Sequence, residues 1–282
     1  MGTVIGRLKA SIYQNSPSLI RHLLDICSAI LRGQGDLGRF HLYCLRHLFT
    51  QAVHRGKPRV ECPLCNWKGW SFREYWAFHG SRVIYRSTEE RICPRCYSKA
   101  RYRLYLLHFQ RSTWAQSRKR LKVLDCSSPN TFHSALKKVI DTSFIITSDL
   151  LIGCHVQNDL TACAFKDGSF DIVVCSHILE HIPRYLAALT EIHRILHENG
   201  RAILQTPVNP NLPETIEFDE SNAELCGHVR EFGRDFYAHV FGVGFRIAPD
   251  AISFMNTLSK EEIDRFGLVI EAGQPLTVCM KI

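Results

Sequence analysis

Beyond residue 120 the chain alternates short apolar runs with longer amphipathic ones, the pattern of βαβ units that fold into a parallel sheet. The runs at 121–125, 144–148, 170–175, 201–205 and 245–247 predict strands, and 276–281 predicts a closing strand. Between them, 183–197 predicts a helix that opens on Pro183 and stops before Asn199-Gly200. Upstream the pattern differs. Residues 1–60 read as basic, helical and amphipathic, with breaks at Gly33-Gln34-Gly35 and Gly56-Lys57-Pro58. Leu104, Leu107 and Phe109 predict one helix over 100–118. Three regions result: a helical segment 1–60, a small module with its connecting helix 61–118, and an α/β domain 119–282 with a Rossmann-like sheet and helices on both faces.

Composition narrows the classes. With 282 residues, 45% apolar and 22% charged, the chain can fill a sizeable core and is not a disordered polymer. No run of about 18 apolar residues predicts a spanning helix. The apolar stretch 19–31 is interrupted by Arg21, His22 and Asp25, which argues against a secretory signal. A cytoplasmic location is expected. The net charge of +8 hides a division: residues 1–122 hold 23 Lys/Arg against 6 Asp/Glu, and the remainder hold 12 against 21. A basic front half suits nucleic acid, an anionic membrane surface or an anionic substrate, and equally suits docking on the acidic half of the same chain. For 1–60 the two readings are peripheral membrane contact and a helical hairpin packed on the body.

Four of the twelve cysteines form two pairs, Cys62-Pro-Leu-Cys65 and Cys93-Pro-Arg-Cys96, separated by 27 residues. Two residues between thiolates let one tight turn offer both sulfurs to a tetrahedral ion, and two such turns close the shell. This predicts a structural zinc on Cys62, Cys65, Cys93 and Cys96, with His79 a substitute ligand that the shell does not need. The long separation predicts an insertion that loops out. Trp67, Trp70, Phe72, Tyr75, Trp76 and Phe78 lie within it. They either stack on nucleic-acid bases or supply the small core of a metal module, and the second reading is preferred.

The first strand leads through Asp125-Cys126-Ser127-Ser-Pro-Asn into a helix. In cofactor-binding α/β domains, this turn is where ligand polar groups meet backbone N–H groups. Asp149 ends the second strand, placed to accept hydrogen bonds from both hydroxyls of a ribose, with Leu150 beside it. Asp159, followed by Leu160, falls where a third strand should end and is placed to face an adenine amino group. Ser176 and His177 end the fourth strand, where open α/β sheets place their ligands.

The run "DGSFDIVVCSHILEHI", the following "LTEIHRILHENGRAILQTPV" and the later "ELCGHVREFGRDFYAHVFGVGFRI" resemble the type 11 group of class I methyltransferases. With both cysteine pairs and "SKARYR" ahead of them, residues 60–282 are similar to a bacterial subgroup in which a zinc knuckle precedes this domain. The resemblance implies S-adenosylmethionine as cofactor. One departure is the first turn, which lacks the family's glycines.

Methyl transfer from a sulfonium needs the reacting atoms held in line and, for some nucleophiles, a base. His228, after a predicted lid at 207–226, is the candidate base, His181 is the alternative, and Arg230 is the candidate anchor for an anionic substrate. No Asn/Asp-Pro-Pro-aromatic motif follows the fourth strand, which disfavours methylation of exocyclic base amines or glutamine. A small-molecule or saccharide substrate is the leading expectation. An RNA methyltransferase with a phosphate-binding zinc module, and a non-catalytic scaffold, are the alternatives.

Overall fold

The structure, a computed structural model, describes residues 18–126, 128–149, 154–222, 225–270 and 277–282. The chain divides into two units, residues 1–61 with 68–94 and residues 62–67 with 95–282.

In the first unit, helices α1 (Ser18–Leu31) and α2 (Gly35–Val53) pack as a hairpin that turns at Gly33, φ 66°. Short strands β1 (Val60–Cys62) and β2 (Trp67–Gly69) flank the first cysteine turn. The insertion expected between the cysteine pairs is an antiparallel hairpin, β3 (Arg73–His79) and β4 (Arg82–Ile92). Its aromatic residues form a core with α2. Phe40 meets Trp76 at 5.6 Å and Phe78 at 5.3 Å, while Tyr43 meets Trp76 at 5.8 Å. Trp70 stacks on His54 at 3.7 Å, and the Arg59 guanidinium lies 3.8 Å from its ring.

The second unit holds the α/β domain. Helix α3 (Ala100–Arg111) stops at Ser112, and a short α4 (Thr113–Gln116) follows. The single helix expected over 100–118 is therefore two. Ser112 adopts an extended φ/ψ, and its hydroxyl accepts the Ala115 N–H at 3.2 Å as a fresh N-cap.

Strands β5 (Leu121–Cys126), β6 (Thr142–Asp149), β7 (Val156–Gln157), β8 (Phe170–Ser176), β9 (Leu196–Gln205), β12 (Phe245–Ile247) and β13 (Val278–Lys281) form one sheet, in the order β12-β13-β9-β8-β5-β6-β7. From β9 to β7 every pair is parallel, whereas β13 runs antiparallel between β9 and β12. This mixed sheet has the Rossmann-like α/β architecture. β8 has no polar face because it is covered on both sides: Ile172, Val173, Val174 and Cys175 are all fully buried. Helix α5 (Asn130–Val139) follows β5, and α6 (Tyr185–Ile195) drives Leu189, Ile192 and Ile195 into the core. β9 starts five residues earlier than expected. Asn199-Gly200 reads as a turn, but it lies at a register shift where Phe170 faces Leu196 and Ile172 faces Arg201, with Asn199 at φ 59°.

The lid expected at 207–226 is partly a ribbon, β10 (Ile216–Asn222) paired with β11 (His228–Glu231). Its base is fastened. Asn209 N–H donates to Phe232 O, Arg234 N–H to Leu212 O, and the Thr215 hydroxyl to Asp235. Gly233 lies under this crossing, where a Cβ would stand 2.5 Å from the Glu214 carbonyl carbon. The remaining elements are α7 (Phe236–Gly242), α8 (Pro249–Thr257) and α9 (Lys260–Phe266).

Candidate active site and cysteine cluster

From β5 the chain steps outward to β6 and β7, then returns to the other side of β5 with β8 and β9. A crevice must open outside the carboxyl ends of the strands at that reversal. There the structure has a cavity of about 390 Å³. Cys126, Asp149 and Asp159 stand in its wall, and Leu160, Ile178 and Ile182 give it apolar surface.

Asp149 lies at the last position of β6, and its carbonyl accepts the Asn158 N–H at 2.9 Å, which brings β7 and the following turn alongside. The Asp159 carboxylate accepts the Thr161 N–H at 2.8 Å, and that contact holds its pKa below the ordinary range. Arg184 donates to the Thr161 hydroxyl at 3.1 Å across the cavity rim. Two carboxylates in a wall that also carries Leu160, Ile178 and Ile182 suit a ligand with polar edges and an apolar plane, such as a nucleoside. They suit a nucleoside bearing a positive charge.

Asp125 stands elsewhere. Its side chain is fully buried, accepting Ser128 N–H at 2.9 Å and His133 Nε2–H at 3.0 Å. The carboxylate closes the glycine-free turn from within instead of facing the cavity. Ser176 is also committed, with its hydroxyl 2.8 Å from Tyr105 Oη, which donates to Gln205 Oε1 at 2.7 Å. His177, at φ 56°, places Nδ1 3.3 Å from Glu180 Oε1. Ser127 and Leu150 lie outside the described residues.

Beside the cavity, Glu180, His181 and His228 bring their ligand atoms within 4.8 Å of one another. His181 lines the cavity, and its Nδ1–H donates to Gly227 O at 3.2 Å. His228, at the start of β11, meets the His181 ring edge-on at 4.9 Å. Burial lowers the His228 pKa, opposed by Glu180 and reinforced by His181 and His177. Burial likewise pushes Glu180 up, but His177 and the Thr206 hydroxyl outweigh it and leave the carboxyl below its usual range. At neutral pH His228 is an unprotonated imidazole next to a carboxylate, an arrangement suited to taking a proton.

Arg230 corrects the sequence expectation. Its side chain is 1% exposed, donating to the carbonyls of Leu179, Ile182 and Pro183 and to the Glu217 carboxylate. The guanidinium holds the 179–183 segment against β11 and is not presented to an anionic substrate. Sequence reasoning missed that this segment, through Ile178 to Arg184, forms a cavity wall. No local signal marks it, because the carbonyls that hold Arg230 lie about fifty residues earlier in the chain.

The cysteines come together as their spacing predicts. Sulfurs of Cys62, Cys65, Cys93 and Cys96 lie within 4.8 Å of one another, and Cys62 and Cys96 are 3.7 Å apart. A tetrahedron with Zn–S bonds of about 2.3 Å has S···S edges of roughly 3.8 Å, so the donor set fits such an ion. Buried Ser98 sets its hydroxyl 3.5 Å from Cys62 Sγ and 3.3 Å from Cys96 Sγ. Its carbonyl accepts from Arg103 at 2.8 Å, and the same guanidinium donates to Phe266 O and Gly267 O at the end of α9.

Residues 113–204 match a methyltransferase domain. An uncharacterised protein of Methanocaldococcus jannaschii is 35% identical over 95 residues, 32% of this chain and 42% of that protein. A demethylmenaquinone methyltransferase of Lactococcus lactis is 38% identical over 58 residues, 21% of this chain and 23% of the enzyme. The chain thus spans less than half the length of either relative. Among solved structures, YcgJ of Bacillus subtilis matches with a TM-score of 0.39 and 19% identity, over 63% of this chain and 95% of that one. A SAM-dependent methyltransferase of Archaeoglobus fulgidus gives 0.41 and 16%, over 64% and 94%. The matched segment carries β5 to β8, most of β9 and every residue that lines the cavity. Among the described residues no helix is long and apolar enough to cross a membrane.

Proposed function

We propose that this chain is an S-adenosylmethionine-dependent methyltransferase acting on a small molecule or saccharide, braced by a structural zinc on Cys62, Cys65, Cys93 and Cys96. The supporting observation is that Asp149 and Asp159 line one cavity at the switch point of the sheet, within the segment that matches a methyltransferase domain. When bound, the cofactor supplies a methyl group on a cationic sulfur. Asp149 accepts the ribose hydroxyls, Asp159 takes the adenine edge, and Leu160 and Ile178 exclude water from the base. His228, kept unprotonated by burial, withdraws a proton from the nucleophile, and His181 holds it in place across the cavity mouth. The closed thiolate shell leaves no coordination position for substrate, so the zinc acts on stability and not on chemistry. The RNA reading has less support, since Trp70 and Trp76 pack against their own chain.

Calorimetric titration of the zinc-replete protein with S-adenosylmethionine and S-adenosylhomocysteine tests the cofactor reading. Micromolar binding is expected, and absence of binding at millimolar ligand would favour a scaffold. For the metal, we expect about one zinc per chain by elemental analysis, lost in Cys62→Ser or Cys96→Ser together with cooperative thermal unfolding. A metal-free preparation that melts like the zinc-replete one rejects the assignment.

A further inference from the structure

We propose that the exposed face of the α1–α2 hairpin docks on an anionic lipid bilayer. α1 turns Leu23, Leu24, Ile30 and Leu31 to solvent, and Ile30 and Leu31 are 70% and 86% exposed. Their spacing of seven and eight residues puts them on one side of the helix. α2 exposes Arg39, Leu42, Arg46, Phe49 and Val53 at the same period, with Phe49 72% exposed. Both helices therefore leave uncovered a side that a soluble hairpin would be expected to make polar.

Charge selects the occupant. Among the described residues 22–55, the exposed charged side chains are all arginines: Arg32, Arg39, Arg46 and Arg55. The two carboxylates of the hairpin turn away. Asp25 faces His41 at 3.6 Å, and Asp36 accepts the Val83 N–H at 3.0 Å as well as pairing with Arg39. At the corner, Ile26, Ile30 and Leu42 with Arg39 line a groove of about 390 Å³. A groove of apolar walls beside a guanidinium matches an acyl chain below an anionic headgroup. A second copy of the chain is a poorer occupant, since a two-fold contact sets a patch against itself and would oppose arginine to arginine. A nucleic acid offers phosphates to the arginines but nothing apolar to Ile30, Leu31 and Phe49. Arginine interleaved with large apolar residues is the composition of helices that lie in the membrane interface.

The test is co-sedimentation of the full-length, zinc-replete protein with vesicles of phosphatidylcholine alone or mixed with phosphatidylglycerol. Binding is expected to the mixed vesicles, at least ten-fold weaker to phosphatidylcholine, and reduced by high salt. Each basic residue near such a surface contributes about five-fold, so the pair Arg32→Gln/Arg46→Gln should weaken binding about 25-fold. Ile30→Asn/Phe49→Asn should abolish it, with circular dichroism unchanged because both side chains face solvent. Equal affinity for the two vesicle types, undiminished binding by both double variants, or no binding at all would each overturn the proposal. So would a concentration-dependent dimer that Ile30→Asn/Phe49→Asn dissolves while vesicle binding is absent.

Discussion

The two edges of the main sheet treat polar groups in opposite ways. At the carboxyl edge, Asp149 and Asp159 stand in the wall of a cavity of about 390 Å³. At the amino edge, an open groove of about 850 Å³ is lined by Arg111, Trp114, Arg201 and Asp250. The larger hollow is the more thoroughly neutralised one. Arg201 reaches Asp250 at 3.3 Å, Ser112 donates to the same carboxylate, Arg111 pairs with Glu262, and His108 sits 3.6 Å from Asp250 with no exposure at all. Size alone would choose the wrong end. What separates them is that the charges of the amino edge pair with one another, while at the carboxyl edge Asp149 and Asp159 line the cavity wall.

Substitutions at the two edges should therefore separate stability from binding. The largest effect is expected for Asp250→Ala, which leaves Arg201 buried without its counter-ion. Loss of about 3–5 kcal/mol in denaturant unfolding, with S-adenosylmethionine affinity unchanged in the surviving folded fraction, is the expected result. A loss of affinity with normal stability would reverse the assignment of edges. Next comes Asp149→Ala, expected to weaken cofactor binding about 100-fold by removing two hydrogen bonds to a charged acceptor, with little change in melting temperature. Full affinity in that variant would mean the ribose does not sit there.

The smallest of the three is a pH effect. Burial pushes the His108 pKa from 6.5 to about 4, with Asp250 opposing. Between those values the unfolded chain binds a proton that the folded chain refuses, so stability falls as pH drops and stops falling near the folded value. Going from above pH 7 to pH 5 should cost about 2 kcal/mol, and His108→Leu should flatten that slope. An identical slope in the variant would place the acid sensitivity in another group.

Much of this architecture is legible in residue order, because strand signals are local. The run 245–247 coincides with β12, and β5, β6 and β8 each differ from expectation by one or two residues at an end. The cysteine cluster is legible too, since two-residue spacing is itself a ligand geometry. Partnerships made across the chain are not. Nothing near Arg230 announces that its acceptors lie about fifty residues earlier, and nothing in "ARYRLYLLHFQR" says that Tyr105 will close over Ser176 and Gln205. Asp125 illustrates the same limit. At a strand end it looks like a ligand anchor, and only the approach of His133 one helical turn into α5 shows that it fastens its own loop.

The crossing at Gly233 bears on how such a protein can change. With Glu214 backbone lying where any side chain at 233 would go, the foot of the β10–β11 ribbon tolerates no substitution there without moving the chain. At the far end, His228 meets the His181 ring, and the His181 side chain donates to Gly227 O. Descent can then vary the side chains around His228 while the foot keeps each variant in register with the sheet. The ribbon is held at its foot and variable above it, so the side chains beside the cavity can change without rebuilding the sheet.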